Sequence, residues 1–505
     1  MTLPRSESSN LLLHLGSPRL WLGVGLGAFA LHMILAIATC RGLIWEGTVE
    51  LFDILNARDF VWYDEVLHHR RDFVVALHQI PTLLLLWSGV NNIPVLMYVF
   101  SATLLIHPII AGWLGWHVLR KTNKLPYGLF ALLAFASFGI GMSLYAIWEP
   151  QVFISLSWPL LFYILFDRSL RGWDIALILG LCLLAFRGGE VLIFSLPVIG
   201  AALIVRLRQG GDSRALTLLW IALLGYIAIT TLYYAHHLQH IPDNYKRYAQ
   251  LSMFDVLPWA LLIPQVWVAS FSAFFAALIM LVFAHPRKRR SIGDVTCVLL
   301  VVLFCLGIIS LLSTTIQIVE VTGTRLVYVF INATAQLVVV FFAWRESAGA
   351  SKKVPIQYEF PVRHLCLLVG LALTLQSAAH IKTTWYWSRY VALLKNEVDT
   401  KSGYIPYDQS VLNAPTELSR FLWNFNHNFV SDKLSILLNG TEQIHTIIGL
   451  RCTQRLKPFD PQQPSTLQIL RFPFPESKDS VYTTAVESKT FDYASFFSNE
   501  TAKHR

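Results

Sequence analysis

Eleven blocks of apolar residues, separated by polar loops, constrain this chain more than any other feature of its sequence. Most approach or exceed the ~20 residues that a helix needs to cross about 30 Å of hydrocarbon. Only helices and closed barrels satisfy their backbone hydrogen bonds in lipid, and these blocks lack the period-two alternation of barrel strands. The sequence therefore predicts an all-α polytopic membrane protein with about eleven transmembrane helices.

The predicted spans are residues 20–40, 93–118, 125–147, 152–166, 173–186, 191–205, 215–234, 258–284, 295–316, 326–344 and 364–381. The fifth and sixth are short and are separated by residues 187–190. They are either two complete spans or one hairpin that does not fully cross. The composition agrees with membrane insertion, because 55% of the residues are hydrophobic and only 14% are charged, too few to cover a soluble domain of this size.

Lysine and arginine in the loops predict the orientation. With the N-terminus in the cytoplasm, the cytoplasmic loops hold 18 of these residues, and the external loops before the C-terminal segment hold 8. We expect a cytoplasmic N-terminus (1–19), a membrane domain (20–381) with an external first loop (41–92), and an external soluble segment (382–505) of α+β or irregular structure. A bacterial inner membrane with a periplasmic C-terminus fits this arrangement, and the net charge of +9 then requires no nucleic-acid partner.

Three acids in the first external loop are spaced for one helical face. Glu46, Glu50 and Asp53 lie at i, i+4 and i+7, where like charges repel modestly. One interpretation is a general base or metal-binding carboxylate at the bilayer surface. The other is a solvated face of an external loop. Later in the loop, residues 81–87 are apolar but too short to span, which suits a helix in the membrane interface.

The layout of residues 20–170 resembles the GT-C superfamily of polytopic membrane glycosyltransferases, which includes the protein mannosyltransferases and the lipid A aminoarabinose transferases. The resemblance rests on the acids Glu46, Glu50 and Asp53, on Arg58, and on the segment that contains His78 and Gln79 just before the second span. It implies that a first-loop acid activates the acceptor. The chain departs from the family by reading Gln-Ile-Pro-Thr at 79–82 instead of Lys-Pro-Pro-Leu, and it lacks the adjacent Asp-Glu pair of the mannosyltransferases.

A further acid, Glu149, lies in a short external turn between the third and fourth predicted spans. The resemblance implies a second catalytic carboxylate at this place, close to the first-loop acids. The alternative is a helix-terminus residue, because Glu before Pro150 at a helix start interacts favourably with the helix dipole.

Enzymes of the GT-C superfamily take the sugar from a polyprenyl-phosphate donor, so the resemblance implies cations that bind the donor's phosphate. Four external cations are candidates: Arg325, Arg247, Lys246 and Arg187. Each is equally suited to anchor a span end at lipid headgroups, and Arg187 has Glu190 nearby as a partner. Because no carboxylate accompanies His236, His237 and His240 at a suitable spacing, we predict no metal site there. No cofactor is required by these patterns, and a need for a divalent cation is left open.

The resemblance to the GT-C superfamily implies transfer of a sugar from a polyprenyl-phosphate-linked donor to a hydroxyl of a lipid or glycan acceptor on the external face, at the bilayer surface. A non-catalytic subunit of an envelope assembly complex and a lipid or solute transporter are the alternatives. A transporter would place charges near the midplane and would contain inverted repeats, whereas the acids here lie at the external surface.

Overall fold

The computed structural model describes residues 18–44, 46–61, 72–136, 150–186, 190–239, 332–333, 335–344, 346–347, 362–405, 409–413, 431–439 and 446–448. The predicted spans at 258–284 and 295–316 lie outside the described residues, as do parts of those at 125–147 and 326–344. Within the described part the chain is mostly helical, as the sequence predicts.

The helices are α1 (Pro18–Ala38), α2 (Glu46–Ala57), α3 (Asp72–Trp87), α4 (Ile93–Lys121), α5 (Gly128–Ala134), α6 (Pro150–Phe166), α7 (Gly172–Phe186), α8 (Leu196–Gln209), α9 (Arg214–Gln239), α10 (Ala335–Trp344), α11 (Val362–Thr400) and α12 (Ser431–Asn439). Two short strands, β1 (Gly403–Ile405) and β2 (Thr446–Ile448), pair in parallel with Gly403 opposite Thr446. Short 3-10 helices cover Arg41–Leu43, Leu125–Tyr127, Glu190–Phe194 and Val411–Asn413.

Five helical segments in the described part are long and apolar enough to cross a membrane: Arg19–Ala38, Ile93–Lys121, Leu192–Gln209, Arg214–Ala235 and Leu365–Thr400. Their number and composition identify an integral membrane protein, whereas the count of eleven spans stays a prediction. Two helices extend furthest beyond the predicted limits. The helix predicted from Pro81 begins at Asp72, so that Pro81 lies inside α3, and α11 continues nineteen residues past Ile381.

Both ends of α4 carry residues that are typical of helix ends, which is why its boundaries lie close to the predicted ones. The Asn92 side chain accepts a hydrogen bond from the Val95 backbone N–H at 3.1 Å, which caps the helix, and a proline occupies the first turn. Arg120 and Lys121 fill the last turn, where cations interact favourably with the helix dipole.

Helices α1 and α11 pack backbone to backbone through a pair of glycines. A Cβ added at Gly25 would lie 2.5 Å from the Gly370 carbonyl oxygen, and a Cβ at Gly370 would collide with the Trp21 carbonyl. Small residues allow such close approach, which is a principal source of helix association in lipid. The first and last described spans are therefore joined along their lengths, although they are far apart in sequence.

One end of the bundle contains the loops after α4, α6 and α8 and is called the basic end below. A buried ion pair stabilises it. Arg206 is fully buried and donates from Nε and Nη2 to the two Asp212 carboxylate oxygens at 2.7 and 2.6 Å. Its Nη1 donates to the carbonyls of Ile164 and Asp167 at 3.2 and 2.7 Å. The Trp220 indole N–H donates to Asp212 at 3.0 Å. This cluster fixes three helices to one another.

At the opposite end, called the first-loop end, the C-terminal segment packs on the first loop. One core contains residues of α2, of the start of α4, of the far half of α11 and of α12, among them Phe52, Phe100, Tyr390 and Leu437. The loop and the segment therefore form one folded layer beyond the spans.

Candidate functional site

The predicted acidic helix is present and spans Glu46–Ala57, directly after the first span and a single 3-10 turn. Its apolar residues, including Leu51, Phe52, Ile54 and Leu55, are buried. Burial of this face against α4 and α12 explains why the helix forms despite three acids on it. Only the backbone of Glu46 is described, whereas the side chains of Glu50 and Asp53 are both described.

Glu50 is buried, with 2% of its surface exposed, and its partner is Gln79 of α3. The Gln79 Nε2 donates to Glu50 Oε1 at 2.9 Å and to the Val61 carbonyl at 3.0 Å, while its Oε1 accepts from the Val61 N–H at 2.9 Å. Because a backbone N–H can only donate, Val61 fixes the amide orientation and directs Nε2 to the carboxylate. Gln79 thus ties α2, α3 and the segment between them together.

Asp53 faces a different element. Its Oδ1 lies 2.9 Å from the Nζ of Lys433 in α12, and the Asp53 side chain is 30% exposed against 12% for Lys433. The Lys433 ammonium also lies 5.1 Å from the centre of the Phe52 ring. The carboxylate of Asp53 and the ring of Phe52 together fix the position of the Lys433 ammonium group. Of the two acids whose side chains are described, Asp53 is the one that is accessible to solvent.

Arg58 ends α2 in the left-handed conformation, with φ of 53°, which is uncommon for a residue with a side chain. Its N–H bonds the Ile54 carbonyl at 2.8 Å, and its own carbonyl accepts from the Trp87 indole at 3.1 Å. Arg58 therefore sets the turn out of the acidic helix. His78, the other predicted neighbour, is buried on α3.

Helix α3 carries an exposed apolar stripe made of Leu77, Ile80, Leu84 and Trp87, opposite its buried polar residues. The spacing is that of one helical face. Apolar residues outward and polar residues inward are what a helix at a lipid boundary requires, and this supports the predicted interfacial position of 81–87.

A buried arginine that the sequence did not single out lies beside the acidic helix. Arg41 donates from Nη1 to the His380 carbonyl at 2.7 Å and to Thr384 Oγ1 at 2.6 Å, and the His380 ring stacks on His32 at 5.5 Å. An arginine that follows a span is expected to extend towards headgroups. Arg41 instead joins α1 to α11, as does the Trp387 indole, which donates to the Thr39 carbonyl at 2.8 Å.

The remaining predicted site residues cannot be related to this geometry. Glu149, Arg187, Lys246, Arg247 and Arg325 all lie outside the described residues, so that their proximity to Asp53 stays a prediction. Among the residues described, no group of three or more His, Cys, Asp or Glu side chains is arranged to hold a metal ion.

Lys433, the partner of Asp53, was also missed, and no signal in the sequence marks it. It lies in a short amphipathic helix of the C-terminal segment, 380 positions from Asp53.

Comparisons with models of protein families, with curated proteins and with solved structures found no match to this chain.

Proposed function

We propose that the chain is a membrane glycosyltransferase that moves a sugar from a polyprenyl-phosphate-linked donor to an acceptor hydroxyl at the membrane surface. The observation that carries the proposal is Asp53. It is a partly exposed carboxylate, positioned by Lys433, on a helix that follows the first span and lies beside a helix with a lipid-facing stripe. This combination supplies an acid at the depth where a lipid-linked sugar meets water.

In the proposed reaction Asp53 accepts the proton of the acceptor hydroxyl. The hydroxyl oxygen forms a bond to the anomeric carbon of the sugar, and the bond between that carbon and the phosphate oxygen breaks. The polyprenyl phosphate leaves with the bonding electron pair, and nearby cations stabilise its charge. Arg325, Arg247, Lys246 and Arg187 are the proposed cations, with Arg favoured over Lys because it binds phosphate through two parallel hydrogen bonds.

Glu50 has a different role in this proposal. Its burial and its hydrogen bond from Gln79 make it a positioning residue that holds α2 against α3. Glu46 and Glu149 are retained as further catalytic candidates, with Glu149 in the second external turn. Arg58 and His78 maintain the shape of the loop.

The intrachain partners of Glu50 and Asp53 also favour a second candidate, a non-catalytic subunit whose first loop is a docking platform for its own C-terminal segment. In both candidates the ion pair of Asp53 and Lys433 stabilises the packing of α2 on α12. Only the enzyme requires a carboxylate at position 53 itself. A variant in which the two charges of the pair are exchanged therefore distinguishes the enzyme from the subunit.

The experiment uses the full chain in nanodiscs with undecaprenyl phosphate linked to glucose, mannose or aminoarabinose in separate assays, with a membrane lipid extract as acceptor. Release of undecaprenyl phosphate is measured by mass spectrometry. We expect Asp53→Asn to lower the rate by about 10²–10⁴-fold, the usual contribution of a general base. The exposed neighbour Asp59 provides the matched control, since Asp59→Asn should keep the wild-type rate.

The double variant Asp53→Lys with Lys433→Asp restores an ion pair of the opposite polarity. We expect it to recover the thermal stability lost in Asp53→Lys alone while remaining inactive. A double variant with wild-type release would exclude Asp53 as the base. A wild-type chain that releases no undecaprenyl phosphate from any of these donors, while the pair still governs stability, would favour the subunit.

A further inference from the structure

A stripe of large apolar side chains runs along α4 towards the basic end. Its members share one face and are exposed: Ile106, Ile109, Ile110, Trp113 and Trp116. Their spacing is that of a single helical face. In a helix that crosses a membrane, a face of this composition contacts lipid.

The two tryptophans lie at the depth of the membrane boundary. Helix α4 begins at Ile93, and Trp116 follows 23 residues later, which at 1.5 Å per residue is about 34 Å. The hydrocarbon core is about 30 Å thick. Trp113 and Trp116, with 61% and 47% of their surfaces exposed, therefore lie in the headgroup region, where tryptophan is enriched.

Arg120 follows one turn after Trp116 and forms a cation–π contact with it, with its guanidinium carbon 5.0 Å from the ring centre. Within the described part of the chain, Arg120 has no ion-pair partner. The neighbouring cations are already paired, Lys121 with Asp167 at 2.8 Å and Lys124 with Glu346 at 2.6 Å. One turn before Arg120 along the same face, the His117 ring stacks on Trp113 at 6.3 Å. A planar cation on an aromatic face, with its donors available, is suited to a phosphate.

The first-loop end carries a similar pair on α11, where Arg389 lies 4.8 Å above the ring of Trp385, which is 50% exposed. The charges around the two pairs differ. In the described loops of the basic end, cations outnumber acids: Arg120, Lys121, Lys124, Arg168, Arg171, Arg206, Arg208 and Arg214 against Asp167, Asp174, Asp212 and Glu346. At the first-loop end the charges of the described residues nearly balance: Glu46, Glu50, Asp53, Asp59, Asp72, Glu397, Asp399 and Asp432 against Arg41, Arg58, Lys382, Arg389, Lys395, Lys401 and Lys433. The basic end therefore attracts anions more strongly.

We propose that Trp113, Trp116, His117 and Arg120 form a binding site for the headgroup of an anionic phospholipid. The acyl chains lie along the apolar stripe of α4, the glycerol region meets the two indoles, and the phosphate accepts hydrogen bonds from Arg120. Unlike the proposed glycosyl transfer, this site is at the basic end and does not depend on the acids of the first loop.

The test uses the full chain purified in detergent micelles and exposed to phosphatidylglycerol or phosphatidylcholine, with retained lipid counted by native mass spectrometry. We expect Arg120→Gln to weaken phosphatidylglycerol retention about fivefold, the effect of one arginine near an anionic headgroup, and to leave phosphatidylcholine unchanged. Trp116→Leu should weaken retention of both lipids, because it removes the indole surface.

Arg389→Gln is the matched control, since it removes the same type of side chain from the same type of pair. It should leave phosphatidylglycerol retention within twofold of the wild type. Equal losses in Arg120→Gln and Arg389→Gln would overturn the site, because any interfacial arginine would then suffice. Unchanged retention in Arg120→Gln, with thermal stability intact, would likewise overturn it and would indicate that protein covers this face.

Discussion

The pair of Arg206 and Asp212 offers the sharpest test of how the basic end is held together. Asp212→Asn keeps the shape of the side chain and removes its charge. The variant leaves a fully buried guanidinium without its carboxylate, while the hydrogen bonds from Arg206 Nη1 to the carbonyls of Ile164 and Asp167 remain. The Trp220 indole can still donate to the amide oxygen.

The size of the effect follows from burial. Removal of one partner from a buried ion pair costs about 3–5 kcal/mol, and the two remaining carbonyl contacts place this site near the lower limit, at about 3 kcal/mol. The matched control is Asp399→Asn, because Lys395 and Asp399 form an ion pair one helical turn apart that is about half exposed. A surface pair of this kind contributes about 0.3–0.5 kcal/mol.

The free energy of unfolding is measured by steric trapping in bicelles for the wild type, Asp212→Asn, Asp399→Asn and the double variant Arg206→Met with Asp212→Asn. The double variant should recover much of the loss, because no unpaired charge then remains buried. If Asp212→Asn lowered the free energy of unfolding no more than Asp399→Asn does, the buried pair would contribute no more to stability than a surface pair.

The same pair predicts a dependence on pH. Burial raises the pKa of Asp212, but hydrogen bonds and charge from Arg206, the Trp220 indole and the charge of Arg168 outweigh it, so that the pKa lies below its usual range. A carboxyl with a lowered pKa in the folded state stabilises the protein above its ordinary value of about 3.9 and loses that contribution as pH falls through the folded-state pKa. The difference in stability between the wild type and Asp212→Asn should therefore be constant near neutral pH and should shrink at strongly acidic pH.

Two further outcomes follow from the fold. Gly370→Leu should destabilise the chain by about 3 kcal/mol or more, because its side chain has no space beside the Trp21 carbonyl, whereas Gly27→Leu, which faces open space, should be close to neutral in the same steric-trapping assay. Single cysteines at Asn123 and Gln409 in a cysteine-free chain should react with an impermeant maleimide from opposite sides of the membrane, Gln409 from outside, and labelling of both from one side would contradict the predicted orientation.

The length and polarity of the apolar blocks were sufficient to predict most of the described helices. The start of α4 at Ile93 and the end of α6 at Phe166 agree with the sequence, because both positions are marked by caps, prolines or a change to charged residues. The sequence did not predict the extension of α11 to Thr400. Beyond the membrane its buried face is formed by Tyr390, Leu394 and Val398, whose burial depends on α12 and the strands. Contacts with elements that are distant in sequence produce no recognisable pattern in the sequence of the helix itself.

The acidic helix shows the same division between local and distant information. The spacing of Glu50 and Asp53 correctly predicts that they share a helix, but it contains nothing about what lies opposite. Their partners come from positions 29 and 380 residues away, one a neutral amide and the other an ammonium group. Periodicity gives the face of a helix, and only the tertiary fold determines which of two neighbouring acids is buried and which is accessible.

Two arginines illustrate why exposure, more than sequence position, separates structural from binding roles in this chain. Arg41 and Arg120 each lie at the end of an apolar span, and the general expectation for both is an extended side chain at the headgroups. Arg41 is fully buried and directs its Nη1 to a carbonyl and a hydroxyl of α11, so that its removal would break these two hydrogen bonds between the helices. Arg120 is exposed and rests on an indole that is itself exposed. A substitution at Arg41 should therefore change stability, whereas one at Arg120 should change which lipids remain bound.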